Sequence, residues 1–217
     1  MLRKISYFQL AWLLFFSFFF VLMLQITLRY IPFSSEVAFL QIKQTEVESV
    51  KFYLPIFYIH VYTAIFTLIA GFTQFSTALL AKYRRVHKMI GYLYVVIVIF
   101  LAAPSGIFIG YYANGGVTAK ISFMLLGILW LFFTAKAINA ILNRNIVKHE
   151  QFMLRSFALA FSAITLRLWK VILVYLFHPA PMDVYQIIAW LGWIPNLLLI
   201  EYLIRKNIKR EKTHHIN

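Results

Sequence analysis

Long apolar stretches separated by short polar segments dominate this chain of 217 residues. Six of these stretches reach the roughly 20 residues that an α-helix needs to cross about 30 Å of hydrocarbon. They cover residues 7–28, 54–80, 89–112, 118–142, 152–177 and 184–204. The pattern therefore predicts an all-α fold, a polytopic membrane bundle of six transmembrane helices.

The six stretches divide the chain into three parts. Residues 1–53 are expected to form an N-terminal anchor helix and an outer loop, residues 54–204 a five-helix membrane core, and residues 205–217 a basic cytoplasmic tail. The first apolar stretch follows two basic residues as in a signal peptide, but it is too long and lacks a small-residue cleavage pattern, which indicates a retained anchor. The outer loop is interpreted as a solvated connection, with a short amphipathic cover over the bundle as the alternative.

Composition supports the membrane class, because 62% of the residues are hydrophobic, 13% are charged and the mean hydropathy is +0.79. The net charge of +14 is distributed unevenly along the chain. Fourteen Lys and Arg residues fall at one set of helix ends and only four at the other, so both termini are predicted to be cytoplasmic, as in a bacterial inner membrane protein. Topology thus accounts for the charge without a nucleic-acid partner, and anionic lipid headgroups are the expected partners of these residues. The absence of cysteine excludes thiolate metal sites and disulfides.

Polar and small residues of the second predicted helix share one face, because they recur at intervals of three and four: His60, Thr63, Thr67, Gly71, Gln74 and Ala78. Such a stripe either packs against neighbouring helices or lines a cavity. In the fifth helix, Arg167 lies about 15 Å below the outer end, at a rise of ~1.5 Å per residue. A guanidinium at that depth needs an anion or carbonyl partner. We therefore predict a mid-membrane polar group of His60, Gln74 and Arg167.

The sixth predicted helix carries Pro195, Asn196 and Glu201, and the last two are predicted, like Gln74, to be buried polar residues. Proline removes a backbone donor, so a kink is expected there. Glu201 lies near the inner end at the level of Arg155, and the two are predicted to form an ion pair between helices five and six. A proton-relay role for Glu201 is the alternative.

Two histidines, His87 and His149, stand at the cytoplasmic starts of helices three and five, while His60 and His178 lie in the outer half. One histidine from each of two helices is the arrangement by which membrane bundles hold haem b. The same inner pair, together with Glu150 or Glu201, would suit a zinc or iron ion.

Several lysines and arginines surround the inner pair, and they favour an anionic ligand over a bare cation. The inner cluster His87, His149, Arg155 and Glu201 is therefore the first candidate site.

Several motifs resemble a known family when they are taken in order: HVYTAIFTLIAGFTQF, RRVHKMIGYLYV, a GG turn before FMLLGILW, KHEQFMLRSFALAFSAITLR and AWLGWIPNLLLIE. Over about residues 55–204 the chain is similar to the bacterial membrane proteins called "domain of unknown function 2306". The resemblance implies a multi-helix membrane protein and supplies no reaction. The positions that match it are His60, His87, Gly91, Trp130, His149, Arg155, Arg167, Trp193, Asn196 and Glu201.

Three functional classes remain open. The first is a redox or electron-transfer subunit that binds haem or quinone through the histidines. The second is a small-molecule or ion transporter, although no inverted repeat is present. The third is a non-catalytic bundle that binds lipid or assists assembly, with a membrane-protein partner or a second copy of the chain. No serine or carboxylate motif of a hydrolase is found.

Overall fold

The computed structural model describes residues 7–74, 82–178 and 181–214, and every regular element in these ranges is helical. A short 3-10 turn, Ala38–Ile42, follows the first helix, and a π-helical segment, Ile97–Ala102, joins the fourth to the fifth. The α-helices, in chain order, are α1 (Tyr7–Leu28), α2 (Gln44–Ser49), α3 (Tyr53–Thr73), α4 (Arg84–Val96), α5 (Ala103–Tyr111), α6 (Gly116–Leu142), α7 (Ile146–Ala160), α8 (Ser162–Phe177), α9 (Pro181–Leu191) and α10 (Ile194–His214).

Four helical runs in the described ranges are long and apolar enough to cross a membrane: Arg84–Tyr111, Gly116–Leu142, Ile146–Phe177 and Asp183–Ile208. Two shorter apolar helices, Ser17–Leu28 and Tyr53–Ile69, correspond to the first two predicted spans. Residues 75–80 of the second predicted span, including Ala78 of its polar stripe, lie outside the described residues. The third and fifth predicted spans correspond to helices that begin earlier than predicted, α4 at Arg84 and α7 at Ile146. His87 and His149 therefore lie within the first turns of these two helices.

The longest rods are interrupted where the sequence weakens the helical hydrogen bonds. The helix is interrupted two residues before Pro195, where the sequence predicts a kink, because α9 ends at Leu191 and α10 begins at Ile194. Asn196 compensates for the interruption by donating from Nδ2 to the Gly192 carbonyl at 3.2 Å. Unpaired backbone groups cannot be hydrated within a membrane, so an interruption of this kind requires a side-chain partner.

Helices α5, α6 and α7 are joined in sequence by tight turns, one of which uses Gly115 and Gly116 with φ of +90° and +72°. These left-handed values favour glycine and account for the GG sequence. We call the end that carries residues 38–49 the covered end. The opposite end, where α4 and α7 begin, is called the basic end, because exposed lysines and arginines surround it.

The outer connection folds over the covered end of the bundle. Leu40 and Lys43 are 0% and 1% exposed, and Leu40 packs in a cluster with Tyr30, Tyr53 and Phe57. The structure therefore corresponds to the amphipathic cover and not to a fully solvated loop. We refer to residues 38–49 as the cover.

Candidate functional site

A partly open cavity of about 440 Å³ lies among the helices, between the covered end and the middle of the bundle. Its volume falls within the ~300–1,000 Å³ that is usual for small-molecule sites. Most of the lining is apolar and includes Leu68, Leu126, Trp130 and Leu159. Two ionisable groups predicted from the sequence, His60 and Arg167, also line it. The cavity thus combines a mainly apolar lining with a polar region formed by His60 and Arg167.

His60 is held in one tautomer by its neighbours. Its Nδ1 lies 2.9 Å from the Ala102 carbonyl oxygen and 3.3 Å from Ser105 Oγ. A carbonyl oxygen only accepts, so Nδ1 carries the proton and the neutral ring presents Nε2 as an acceptor. Gly106 allows this close packing, because a Cβ there would lie 3.0 Å from His60 Cε1. His60 therefore offers a lone pair and not a second donor.

Arg167 has few partners for a charged group. Its Nη1 donates to the Ala163 carbonyl at 2.6 Å, one turn earlier in α8. No Asp or Glu forms an ion pair with Arg167 among the described residues. Arg167 interacts electrostatically with Tyr30 and Tyr185, but burial raises the pKa of the Tyr30 phenol, which remains neutral at physiological pH. The guanidinium is thus a cation without an anionic partner in the described part of the fold.

The covered end of the cavity is closed by Lys43. This lysine binds Glu46 Oε1 at 2.6 Å and also donates to the carbonyl oxygen of Tyr112. Its charge is therefore neutralised, and it fastens the cover to the end of α5. The i, i+3 spacing of Lys43 and Glu46 is a sequence signal for their ion pair, but not for the burial of Lys43 or its bond to Tyr112.

Below the cavity, four side chains of α4, α6 and α7 form a closed ring of hydrogen bonds. Trp130 Nε1 donates to Tyr94 Oη at 3.1 Å, Tyr94 Oη is 2.7 Å from Ser156 Oγ, and Ser156 Oγ is 2.7 Å from Thr134 Oγ1. Thr134 donates its only proton to the Trp130 carbonyl, so Ser156 must donate to Thr134 and Tyr94 to Ser156. Every donor in the ring is used. The ring was not predicted from the sequence.

The basic end brings His87, His149 and Gln74 into one region. Gln74 Nε2 donates to the His87 carbonyl at 3.0 Å, and the two imidazoles interact electrostatically. His149 Nδ1 lies 2.9 Å from the Ala137 carbonyl, while Nδ1 of His87 is buried and has no hydrogen-bond partner among the described residues. The structure therefore does not group Gln74 with His60. The two residues are fourteen positions apart in the sequence, which is roughly 20 Å along the axis of α3 at ~1.5 Å per residue.

The ion pair predicted between helices five and six is confirmed. Arg155 Nη2 and Nε lie 2.8 and 2.9 Å from Glu201 Oε2, and Glu201 also accepts from Arg205 at 3.3 Å. The pair makes no hydrogen bond to His87 or His149 within the described residues. Nor do three or more His, Asp or Glu side chains there group closely enough to hold a metal ion.

Asn196, predicted as a buried polar residue, ties three helices together. Its Nδ2 lies 2.9 Å from Thr165 Oγ1 and 3.3 Å from the Ala158 carbonyl, in addition to its contact with Gly192. All three acceptors are groups of the neighbouring helices or of the break before α10. Asn196 thus has a structural explanation and does not line the cavity.

The helices and their apolar surfaces define the chain as a multi-pass membrane protein that sits in a lipid bilayer. It belongs to the family described as "Predicted membrane protein (DUF2306)", whose model matches residues 57–204. The family resemblance of the motifs is therefore confirmed. No curated protein and no solved structure matches the chain.

The matched residues include His60, Arg167 and the hydrogen-bonded ring, whereas α1 and the cover precede them. The polar region of the cavity thus belongs to the family core, and part of its enclosure is added by the N-terminal residues.

Proposed function

We propose that the protein is a membrane-embedded binding protein that holds a lipid-soluble small molecule in the cavity. The observation that carries this proposal is the cavity itself, about 440 Å³ of mainly apolar space with His60 and Arg167 in its wall. Sites for small molecules combine an apolar lining with a few polar groups that fix orientation. The third class that the sequence leaves open, a bundle that binds lipid, agrees best with this geometry.

The proposed topology has six spans with both termini on the cytoplasmic side of a bacterial inner membrane. The basic end would face the cytoplasm, because fourteen of the Lys and Arg residues fall at the helix ends on that side. The cover and the adjoining part of the cavity would then face the outside. Reporter fusions at residues 38–49 and after His214 should give opposite locations, and the same location for both would contradict this topology.

Mass spectrometry of solvent extracts from the purified protein tests the binding function. Ala64 lines the cavity, so Ala64→Phe should fill it and remove a co-purifying molecule. Ala135→Phe is the matched control, because Ala135 is exposed on α6. The same extracted molecules from both variants, in the same amounts, would rule out the cavity as their site.

A redox subunit that binds haem is the second candidate, and one observation favours it. His60 and His149 each direct Nδ1 at a backbone carbonyl. Histidines that ligate haem or metal commonly donate one ring nitrogen in this way and bind with the other. Expression with added haem should then give a Soret absorption band that His149→Ala abolishes for a site at the basic end, or His60→Ala for a site in the cavity. A purified protein without that band would eliminate haem binding.

A further inference from the structure

We propose that the molecule in the cavity is an acidic single-chain amphiphile whose carboxylate or phosphate oxygens bind Arg167. This rests on the proposed binding function, since it names the ligand class of the same cavity. It adds that the ligand supplies the anion that Arg167 lacks in the described fold.

The charged side chains around the cavity favour an anionic ligand. Arg167, Lys170 and Lys43 line it, and among the residues that the structure describes only Lys43 has a carboxylate partner. No Asp or Glu is among the described lining residues. An uncompensated charge at membrane depth is costly, and an oxyanion is the partner that compensates a guanidinium best.

The hydrogen-bonding geometry of Arg167 also favours an oxyanion. A guanidinium has five N–H donors in a planar fork that matches two oxygens of a carboxylate or phosphate. Only one hydrogen bond from this group is made to a described residue, the bond to Ala163. His60 cannot replace Arg167 as a donor, because its Nδ1 proton is directed at the Ala102 carbonyl. Lys170, the other lining cation without an ion pair to a described residue, is exposed, so recognition of an anionic oxygen inside the cavity should depend mainly on Arg167.

The apolar lining indicates what is attached to the anion. Leu68, Trp130 and Leu159 extend the cavity away from the covered end, towards the hydrogen-bonded ring. These side chains offer no charged partner, so the remainder of the ligand should be hydrocarbon. An anionic head with one apolar chain fits both regions of the cavity.

Quenching of Trp130 fluorescence by brominated amphiphiles tests this inference on the full-length protein in detergent micelles. Three probes with the same mid-chain bromines are compared: a brominated stearic acid, its methyl ester, and the phosphate monoester of the corresponding alcohol. Charge-assisted hydrogen bonds are worth ~1.5–3 kcal/mol, so at least one acidic probe should quench at a mole fraction roughly tenfold or more below the ester. Trp130→Phe identifies the part of the signal that reports on the cavity.

Arg167→Gln should abolish the preference for the acidic probes, and Arg167→Lys should retain part of it. Arg205→Gln, at a side chain that is 73% exposed, is the matched control and should leave the preference unchanged. The ratio between the two acidic probes separates a carboxylate ligand from a phosphate ligand.

Two contrary results are distinguishable. If the ester quenches Trp130 as well as both acids do, and Arg167→Gln changes nothing, the anion inference is overturned while binding in the cavity stands. If none of the three probes produces Trp130-dependent quenching, the inference and the proposed function both fail. Thermal unfolding of each variant confirms that it is folded before quenching is measured.

Discussion

The hydrogen-bonded ring and the cavity are neighbours that share Trp130, yet their polar groups are satisfied to different degrees. In the ring, every side-chain donor of Tyr94, Trp130, Thr134 and Ser156 has an acceptor. In the cavity, Arg167 has one carbonyl and His60 keeps a lone pair on Nε2. Polar groups inside a membrane whose hydrogen bonds are all made within the protein stabilise helix packing. Ionisable groups that lack such partners are candidates for ligand binding.

The two arginines of the helix formed by α7 and α8 repeat this contrast. Arg155 binds Glu201 at 2.8 Å and lies 5.4 Å from the centre of the Phe152 ring, while Arg167 meets no carboxylate in the described residues. Arg155 thus belongs with the ring as part of the scaffold, and Arg167 belongs with the site of the proposed ligand. Their variants should therefore change stability in different ways.

Glu201→Gln should give the largest loss of stability, because it leaves Arg155 without its anion. Breaking one side of a fully buried pair costs ~3–5 kcal/mol, and since Glu201 is 32% exposed we expect about 3 kcal/mol. Thermal unfolding in detergent should shift down by roughly 6–12 °C. Glu150→Gln, at an exposed residue that forms no ion pair with a described residue, should change it little. Equal melting temperatures for these two variants would show that the pair does not stabilise the bundle.

Ser156→Ala should cost about 2 kcal/mol, because the buried hydroxyl of Tyr94 loses its acceptor. Ser162→Ala is the matched control, since Ser162 is also buried but lines the cavity. Its hydroxyl makes no hydrogen bond to a described residue, so the change should stay within about 0.5 kcal/mol. The comparison between ring and cavity fails if the two alanine variants unfold at the same temperature.

A double-mutant cycle between Tyr94 and Ser156 separates the ring from ordinary packing. In Tyr94→Phe no hydroxyl remains to be orphaned by the loss of Ser156. Ser156→Ala should therefore cost less than about 1 kcal/mol in that background, compared with about 2 kcal/mol in the wild type. Unfolding free energies of the four proteins measure the difference. Additive effects would mean that the two hydroxyls act independently.

Much of the scaffold could be predicted from the sequence, because its signals are local. The lengths of the apolar stretches predicted the helices, and Pro195 indicated where the last helix is interrupted. The similar depth of two opposite charges predicted the ion pair of Arg155 and Glu201. The buried position of Lys43 could not be predicted, because it depends on how the cover folds back onto Tyr112.

The cavity and the ring were beyond the sequence for a related reason. Tyr94, Thr134 and Ser156 are ordinary membrane residues individually, and only the packing of three helices brings them together. A cavity is space that side chains leave unfilled, so no single residue type signals it. His60 and Arg167 could be singled out because their charge is unusual at that depth, but their common cavity could not.

Arg167→Gln should have the smallest effect on stability and the clearest effect on binding. Because the charge has no anionic partner in the described fold, removing it should leave the unfolding free energy of the ligand-free protein unchanged or raise it by up to about 1 kcal/mol. Thermal unfolding of delipidated protein measures this, and adding the acidic amphiphile should then stabilise the wild type but not the variant. A loss as large as that of Glu201→Gln would show instead that Arg167 stabilises the fold. In that case the difference between the two arginines would disappear.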